Sequence, residues 1–235
     1  MNQNYTKCTT ALWKQYHFGI TPVIPDIKCK SPGEGDLMLG RDPVEIAKSL
    51  AAAGAPVISV VTERDHFGGS PELVRQIAQA TSLPILRKDF IKTHDHLLES
   101  KEMGASGILL ISSIVEKEQL YKLIEEALAL DLEPLVETHS EEEIRAVKDL
   151  KLSFLGINNR NIMEWEMDGG TVNTTEKLGD FVPSGAFVLS ESSISSPEDV
   201  QRARSAGAHG VLVGTAILRA QDPVEMYHKL SEPRG

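Results

Sequence analysis

Short, continuously apolar runs recur along the chain and are separated by segments with helical periodicity. The runs at 23–28, 57–61, 84–87, 108–111, 133–136, 154–157, 187–190 and 210–213 read as strands. They are too short and too uniformly apolar for strands with one wet face, and fit parallel strands buried on both sides. Between them the patterns at 44–53, 72–80, 117–130, 141–150 and 197–206 read as amphipathic helices. The punctuation repeats with them. Asp42-Pro43-Val44-Glu45 recurs as Asp222-Pro223-Val224-Glu225, and Ser70-Pro71-Glu72 and Ser196-Pro197-Glu198 are variants. Each sets a capping oxygen before a proline suited to the first helical turn, with an acid near the positive helix end. At the other end Gly54, Gly104 and Gly207 each precede an alanine and the next strand, as helix-terminating glycines do.

Eight strands alternating with helices at about 20–35 residues per unit admit a doubly wound sheet or a (β/α)8 barrel. Eight units in about 210 residues, without a break in composition, predict a single (β/α)8 TIM barrel over 1–235, with 1–22 as a short N-terminal extension.

Composition narrows the function more than the fold. The 235 residues carry a formal net charge of −10, which argues against nucleic-acid phosphates as partner, because counterion release needs a basic face. Nearly apolar stretches run to about nine residues, half of a bilayer span, so no membrane partner is expected. The first thirty residues are mixed and polar, which predicts a cytoplasmic protein. Two cysteines, Cys8 and Cys29, offer neither a disulfide framework nor zinc spacing. The seven histidines suggest no metal site; His94 and His96 stand two apart at a helix start and do not face each other.

In such a barrel, chemistry gathers at the C-terminal ends of the strands. The residues there are Lys28; Glu63 and Phe67; Lys88 and Asp89; Ser112 and Ser113; Glu137; Asn158 and Arg160; Glu191, Ser192 and Ser193; Gly214 and Thr215. Charges from six strand ends converge on one mouth, although desolvated charges cost several kcal/mol unless paired. Ser190-Glu191-Ser192-Ser193 and Val213-Gly214-Thr215 match the two last loops that bind phosphate in many barrels. A small phosphorylated molecule is the expected partner.

These motifs resemble the indole-3-glycerol phosphate synthase family. The resemblance rests on Asp26-Ile27-Lys28-Cys29-Lys30-Ser31-Pro32, Thr62-Glu63 with Phe67-Gly68-Gly69-Ser70, and Leu86-Arg87-Lys88-Asp89-Phe90. It continues through Leu135-Val136-Glu137, Gly156-Ile157-Asn158-Asn159-Arg160-Asn161, Ser190-Glu191-Ser192 and Val213-Gly214-Thr215. It implies ring closure of 1-(2-carboxyphenylamino)-1-deoxyribulose 5-phosphate with loss of CO2 and water, in tryptophan biosynthesis, without metal or organic cofactor. By the same resemblance Lys88 is the catalytic acid and Glu137 the acid/base of the dehydration. Lys28 pairs with the substrate carboxylate and with Asp26. Ser31, Glu63, Phe67, Asn158, Arg160 and Glu191 bind substrate, while Ser192, Ser193, Gly214 and Thr215 hold the phosphate. A monomer or weak homo-oligomer is expected.

Four positions depart from the family pattern: Asp26 for Glu, Cys29 for Arg, Gly33 for Ser and Ser193 for Gly. The family's longer helical cover over the mouth is expected to be short or absent here, since about 22 residues precede the first strand. These departures leave open a member repurposed for a related arylamine-sugar phosphate, or a non-catalytic phosphate-binding barrel.

Overall fold

The computed structural model describes residues 7–160 and 170–233. Eight parallel strands close into a barrel in the order β1-β10-β9-β8-β7-β6-β5-β4. They are β1 (Val23–Ile27), β4 (Ile58–Val61), β5 (Ile85–Lys88), β6 (Gly107–Ile111), β7 (Glu133–Thr138), β8 (Phe154–Asn158), β9 (Phe187–Glu191) and β10 (Gly210–Val213). This is the (β/α)8 barrel expected from the sequence, and all eight apolar runs are its strands. Four of them end further along than the apolar pattern indicated: β5 takes in Lys88, β7 Glu137 and Thr138, β8 Asn158 and β9 Glu191. A two-stranded hairpin, β2 (Lys30–Ser31) with β3 (Gly35–Asp36), follows β1 and has no hydrophobic signature to announce it.

The helices on the outside are α2 (Pro43–Ala52), α3 (Pro71–Ala80), α4 (His94–Glu102), α5 (Lys117–Ala129), α6 (Glu141–Val147), α7 (Asn173–Leu178), α8 (Pro197–Ser205), α9 (Thr215–Arg219) and α10 (Pro223–Leu230). The repeated caps form as read. Asp42, Ser70, Ser196 and Asp222 each accept a backbone N–H of the following turn, with proline in that turn. Gly54, Gly104 and Gly207 end their helices at φ of +99°, +90° and +97°. The sequence reading passed over α4, α7 and α9. α7 and α9 are only six and five residues long, and α4 buries just Leu97 and Ser100. Among the described residues no helix is long and apolar enough to cross a membrane.

Alternation along the strands sorts the interior into levels. Ile24, Val57, Leu86, Leu109, Leu135, Phe154, Phe187 and Leu212 form one apolar cluster together with Cys8 and Leu12 of the remaining helix, α1 (Cys8–His17). On three of these strands the same inward stripe turns charged two residues further on: Asp26 after Ile24, Lys88 after Leu86, Glu137 after Leu135. α1 therefore seals the N-terminal end of the barrel, opposite the mouth. Trp13 stacks edge-on against Phe187 and His209 there, with ring centroids 5.0 and 4.7 Å away. The described part of the N-terminal extension is a plug at that end.

The plug is tied by a buried carboxyl. Glu133, at the start of β7, accepts the Thr9 backbone N–H at 2.9 Å, the Thr9 hydroxyl and the Ser153 hydroxyl at 3.1 Å. Thr9→Val keeps the volume but removes one donor, which costs about 1–3 kcal/mol. We expect the urea midpoint to fall correspondingly while kcat stays unchanged. A stability equal to that of the parent would show that α1 is not held by this contact.

Candidate active site

At the mouth, the upper inward level presents five charged side chains. Asp26, Lys28, Glu137 and Glu191 are buried, and Lys88 is nearly so. Lys88 donates from Nζ to Glu191 Oε2 at 3.0 Å across the barrel. Glu191 reaches the axis because Gly156 on the neighbouring β8 has no side chain; a Cβ there would stand 2.1 Å from Glu191 Oε1. Asp26 accepts the Ser59 hydroxyl at 2.6 Å, one strand over. Three carboxyl groups thus share two ammonium groups in a space largely shut off from water. Burial pushes Glu191 up to about 7, Lys88 partly offsets this, and the nearby Glu137 and Asp26 add to it. Burial would also lift Glu137, but His139, Lys88 and Asn158 outweigh it and bring that carboxyl below its ordinary value.

Two adjoining cavities open from this level. The larger, about 290 Å³, is lined by Ser192, Ser193, Gly214, Thr215 and the two guanidinium groups of Arg160 and Arg219. The smaller, about 40 Å³, is lined by Phe67, Phe90, Leu109, Ile111, Glu137 and Asn158. Asp26, Lys28 and Lys88 line both. The Lys28 ammonium lies over the Phe67 ring, 5.6 Å from its centroid, in cation–π range. One wing is thus basic and rich in small polar residues, the other aromatic and aliphatic, and Asp26, Lys28 and Lys88 stand where they meet.

The family model described as indole-3-glycerol phosphate synthase matches residues 3–230. The chain belongs to that family. Indole-3-glycerol phosphate synthase from Thermococcus kodakarensis is 42% identical over 210 residues, covering 89% of this chain and 92% of that protein. The synthase from Pyrococcus furiosus is 39% identical over 211 residues, covering 90% and 92%. That from Halalkalibacterium halodurans is 43% identical over 204 residues, covering 86% and 78%.

Set against the family resemblance, most of the expected site residues meet at this mouth. Glu63 does so only in part, and Ser31 does not. Glu63 borders the aromatic wing, but its two oxygens accept the backbone N–H groups of Asp65, His66 and Phe67 and contact the His66 ring at 3.0 Å. Its carboxylate shapes the loop that carries Phe67. Ser31 lines neither wing; its hydroxyl is buried in the β2–β3 hairpin without a hydrogen-bond partner. Asn161 lies outside the described residues.

Ser193 stands at φ +57° and Ser192 at +65°. The glycine usual at Ser193 in the family is explained by this left-handed backbone, which costs an L-residue about 1–2 kcal/mol. The serine is retained in contact, since its hydroxyl accepts from Arg160 Nε at 3.2 Å.

Two groups carry more than the sequence showed. Asn159 donates from Nδ2 to the Ser190 hydroxyl and to the Glu191 and Ser192 carbonyls, at 3.0, 3.0 and 3.1 Å. Its Oδ1 accepts the Thr175 N–H and hydroxyl, so this one amide clips the β9 loop to β8. His139, dismissed with the other histidines, lies 3.3 Å from the Glu137 carboxylate. A residue two places beyond Glu137 faces the same way along an extended chain, and that spacing was the available signal.

Because Glu191 holds its proton more tightly folded than unfolded, ionising it opposes folding. Its contribution is full below its ordinary value of 4.5 and is lost as pH rises through about 7. We expect Glu191→Gln to gain stability relative to the parent between pH 5 and pH 8, read by urea unfolding. A difference independent of pH would mean that Glu191 is ionised throughout.

Proposed function

We propose that this chain is an indole-3-glycerol phosphate synthase, closing the indole ring of 1-(2-carboxyphenylamino)-1-deoxyribulose 5-phosphate with loss of CO2 and water. The observation that carries this reading is the two-winged mouth with Lys88 and Lys28 at the junction. The substrate has the same division: a carboxylated aromatic ring at one end, a phosphate at the other, and the ketone between them.

The sugar phosphate lies in the larger wing. Ser192, Ser193, Gly214 and Thr215 offer backbone N–H groups and hydroxyls to the phosphate, and Arg160 adds a guanidinium. The aromatic ring enters the wing lined by Phe67, and Lys28 meets its carboxylate. At about 40 Å³ that wing is narrow, against ~150 Å³ for a dry cavity that takes up benzene, so Phe67, Phe90 or Lys28 swings aside on binding.

As the carboxyl-bearing ring carbon bonds to the ketone carbon, Lys88 delivers a proton from Nζ to the ketone oxygen. The bond to the carboxylate then breaks, CO2 leaves, and its electron pair restores the aromatic ring. In the last step Glu137, kept ionised, takes a proton from the new ring and later releases it to solvent, while the hydroxyl departs as water with a proton from Lys88, reprotonated from solvent. The net consumption is one proton per turnover. Asn158 and Glu191 orient the sugar hydroxyls, and the Glu191 pair holds Lys88 toward the axis.

Three of the departures have defined surroundings here. Asp26 is held by Ser59. Cys29 packs half-buried against the outer core. Ser193 keeps its backbone at the phosphate wing.

The test is turnover of the carboxyanilino sugar phosphate followed by indole fluorescence. Lys88→Ala and Glu137→Gln are each expected to lower kcat by ~10²–10⁴-fold, the usual contribution of a positioned acid or base, while calorimetry still detects substrate. Binding without turnover by the parent protein would instead point to a repurposed or non-catalytic barrel.

A further inference from the structure

A carboxylate–imidazole–carboxylate chain leads outward from the reacting centre. Glu137 Oε1 stands 3.3 Å from His139 Nε2, and His139 Nδ1 stands 3.3 Å from Glu143 Oε2 on α6. The same Glu143 oxygen accepts the His139 backbone N–H at 2.9 Å and the Ser112 hydroxyl at 2.6 Å. Ser112 also meets the Glu137 carbonyl at 2.8 Å, so the strand end and the helix are stitched around the ring. The Glu137–His139 contact has ion-pair distance but is not a straight hydrogen bond, since neither atom has an aligned partner.

We propose that His139 is a positioning residue for Glu137, a cation braced from outside by Glu143 and Ser112 that keeps this carboxylate ionised and in place. The proposal rests on the reading of Glu137 as the acid–base group of the dehydration. Lys88 from β5, Asn158 from β8 and Glu191 from β9 also face this region. Lys88 is shared with Glu191, whereas His139 has no carboxylate but Glu137 on the barrel side among the described contacts. Burial by itself would lower the His139 value, but Glu137 and Glu143 push it up to about 10, so the ring is an imidazolium across the working range. An ionised Glu137 can accept the ring proton in dehydration; a protonated one cannot. Glu143 on the far side draws on the same cation, which leaves Glu137 held without cancelling its basicity.

The experiment is a pH titration of the intact protein labelled with 13C at glutamate carboxyl carbons. The Glu137 signal is assigned by its loss in Glu137→Gln, and the Glu191 signal by its loss in Glu191→Gln. His139→Gln removes the charge and is expected to raise the Glu137 midpoint by about one unit, the low end for losing an adjacent opposite charge. The acid limb of kcat should move the same way, with KM within about twofold of the parent. His139→Lys, which restores a cation, should return the midpoint at least half of the way. His139→Asn serves as the neutral variant if the Gln protein does not fold. An unmoved midpoint in the neutral variant, or the same midpoint in the Gln and Lys variants, overturns the proposal. Full turnover by Glu137→Gln would overturn the assignment of Glu137 itself, while the midpoint would still report whether His139 holds it.

Discussion

The Lys88–Glu191 ion pair spans the inside of the barrel, and much of the surrounding structure exists to make it tolerable. Removing two charges from water costs several kcal/mol each unless geometry and further contacts compensate. Glu191 is wholly buried and reaches Lys88 only over the bare backbone of Gly156. Asn159 fixes the chain just beyond Glu191 by gripping its carbonyl and that of Ser192. Burial, added to by Glu137 and Asp26 close by, outweighs the Lys88 ammonium and pushes Glu191 up to about 7. The second lysine lies against Phe67 and lines both cavities.

The same period of two that packs the lower barrel positions this charge. Leu86 and Lys88, Leu135 and Glu137, and Leu189 and Glu191 are successive members of three inward stripes, each apolar below and ionisable above. Moving any of these strands by one residue would turn both members of its stripe, the leucine and the charge, into the outer helical layer. Specifying the fold and specifying the site are therefore one constraint here, enforced by buried side chains on both faces of every strand.

The eight strands, the repeated aspartate- and serine-proline caps and the convergence of charge at one mouth were all legible because they follow from local patterns. Other features were not. α4 carries His94-Asp95-His96 and buries only Leu97 and Ser100, so nothing periodic marks it. Glu63 reads as a ligand by position, but three backbone N–H groups of its own turn take up its carboxylate, a local closure that residue type alone does not reveal. Ser31 has the right neighbours in the chain, and the hairpin turns it away from both wings. His139 was overlooked because its significance lies in Glu143, supplied by the following helix.

The closure of the barrel has a consequence for how the molecule is made. β1 pairs on one side with β4 and on the other with β10, Val23 opposite Val211 and Ile24 opposite Leu212. The first strand to leave the ribosome therefore waits for the last before its second edge is covered, and every intermediate in synthesis carries two open strand edges. Such edges invite pairing with another chain. A nascent chain released before β10 would lack the closing strand, and with it the Gly214–Thr215 turn, so incomplete synthesis yields an association-prone fragment rather than a weakened enzyme.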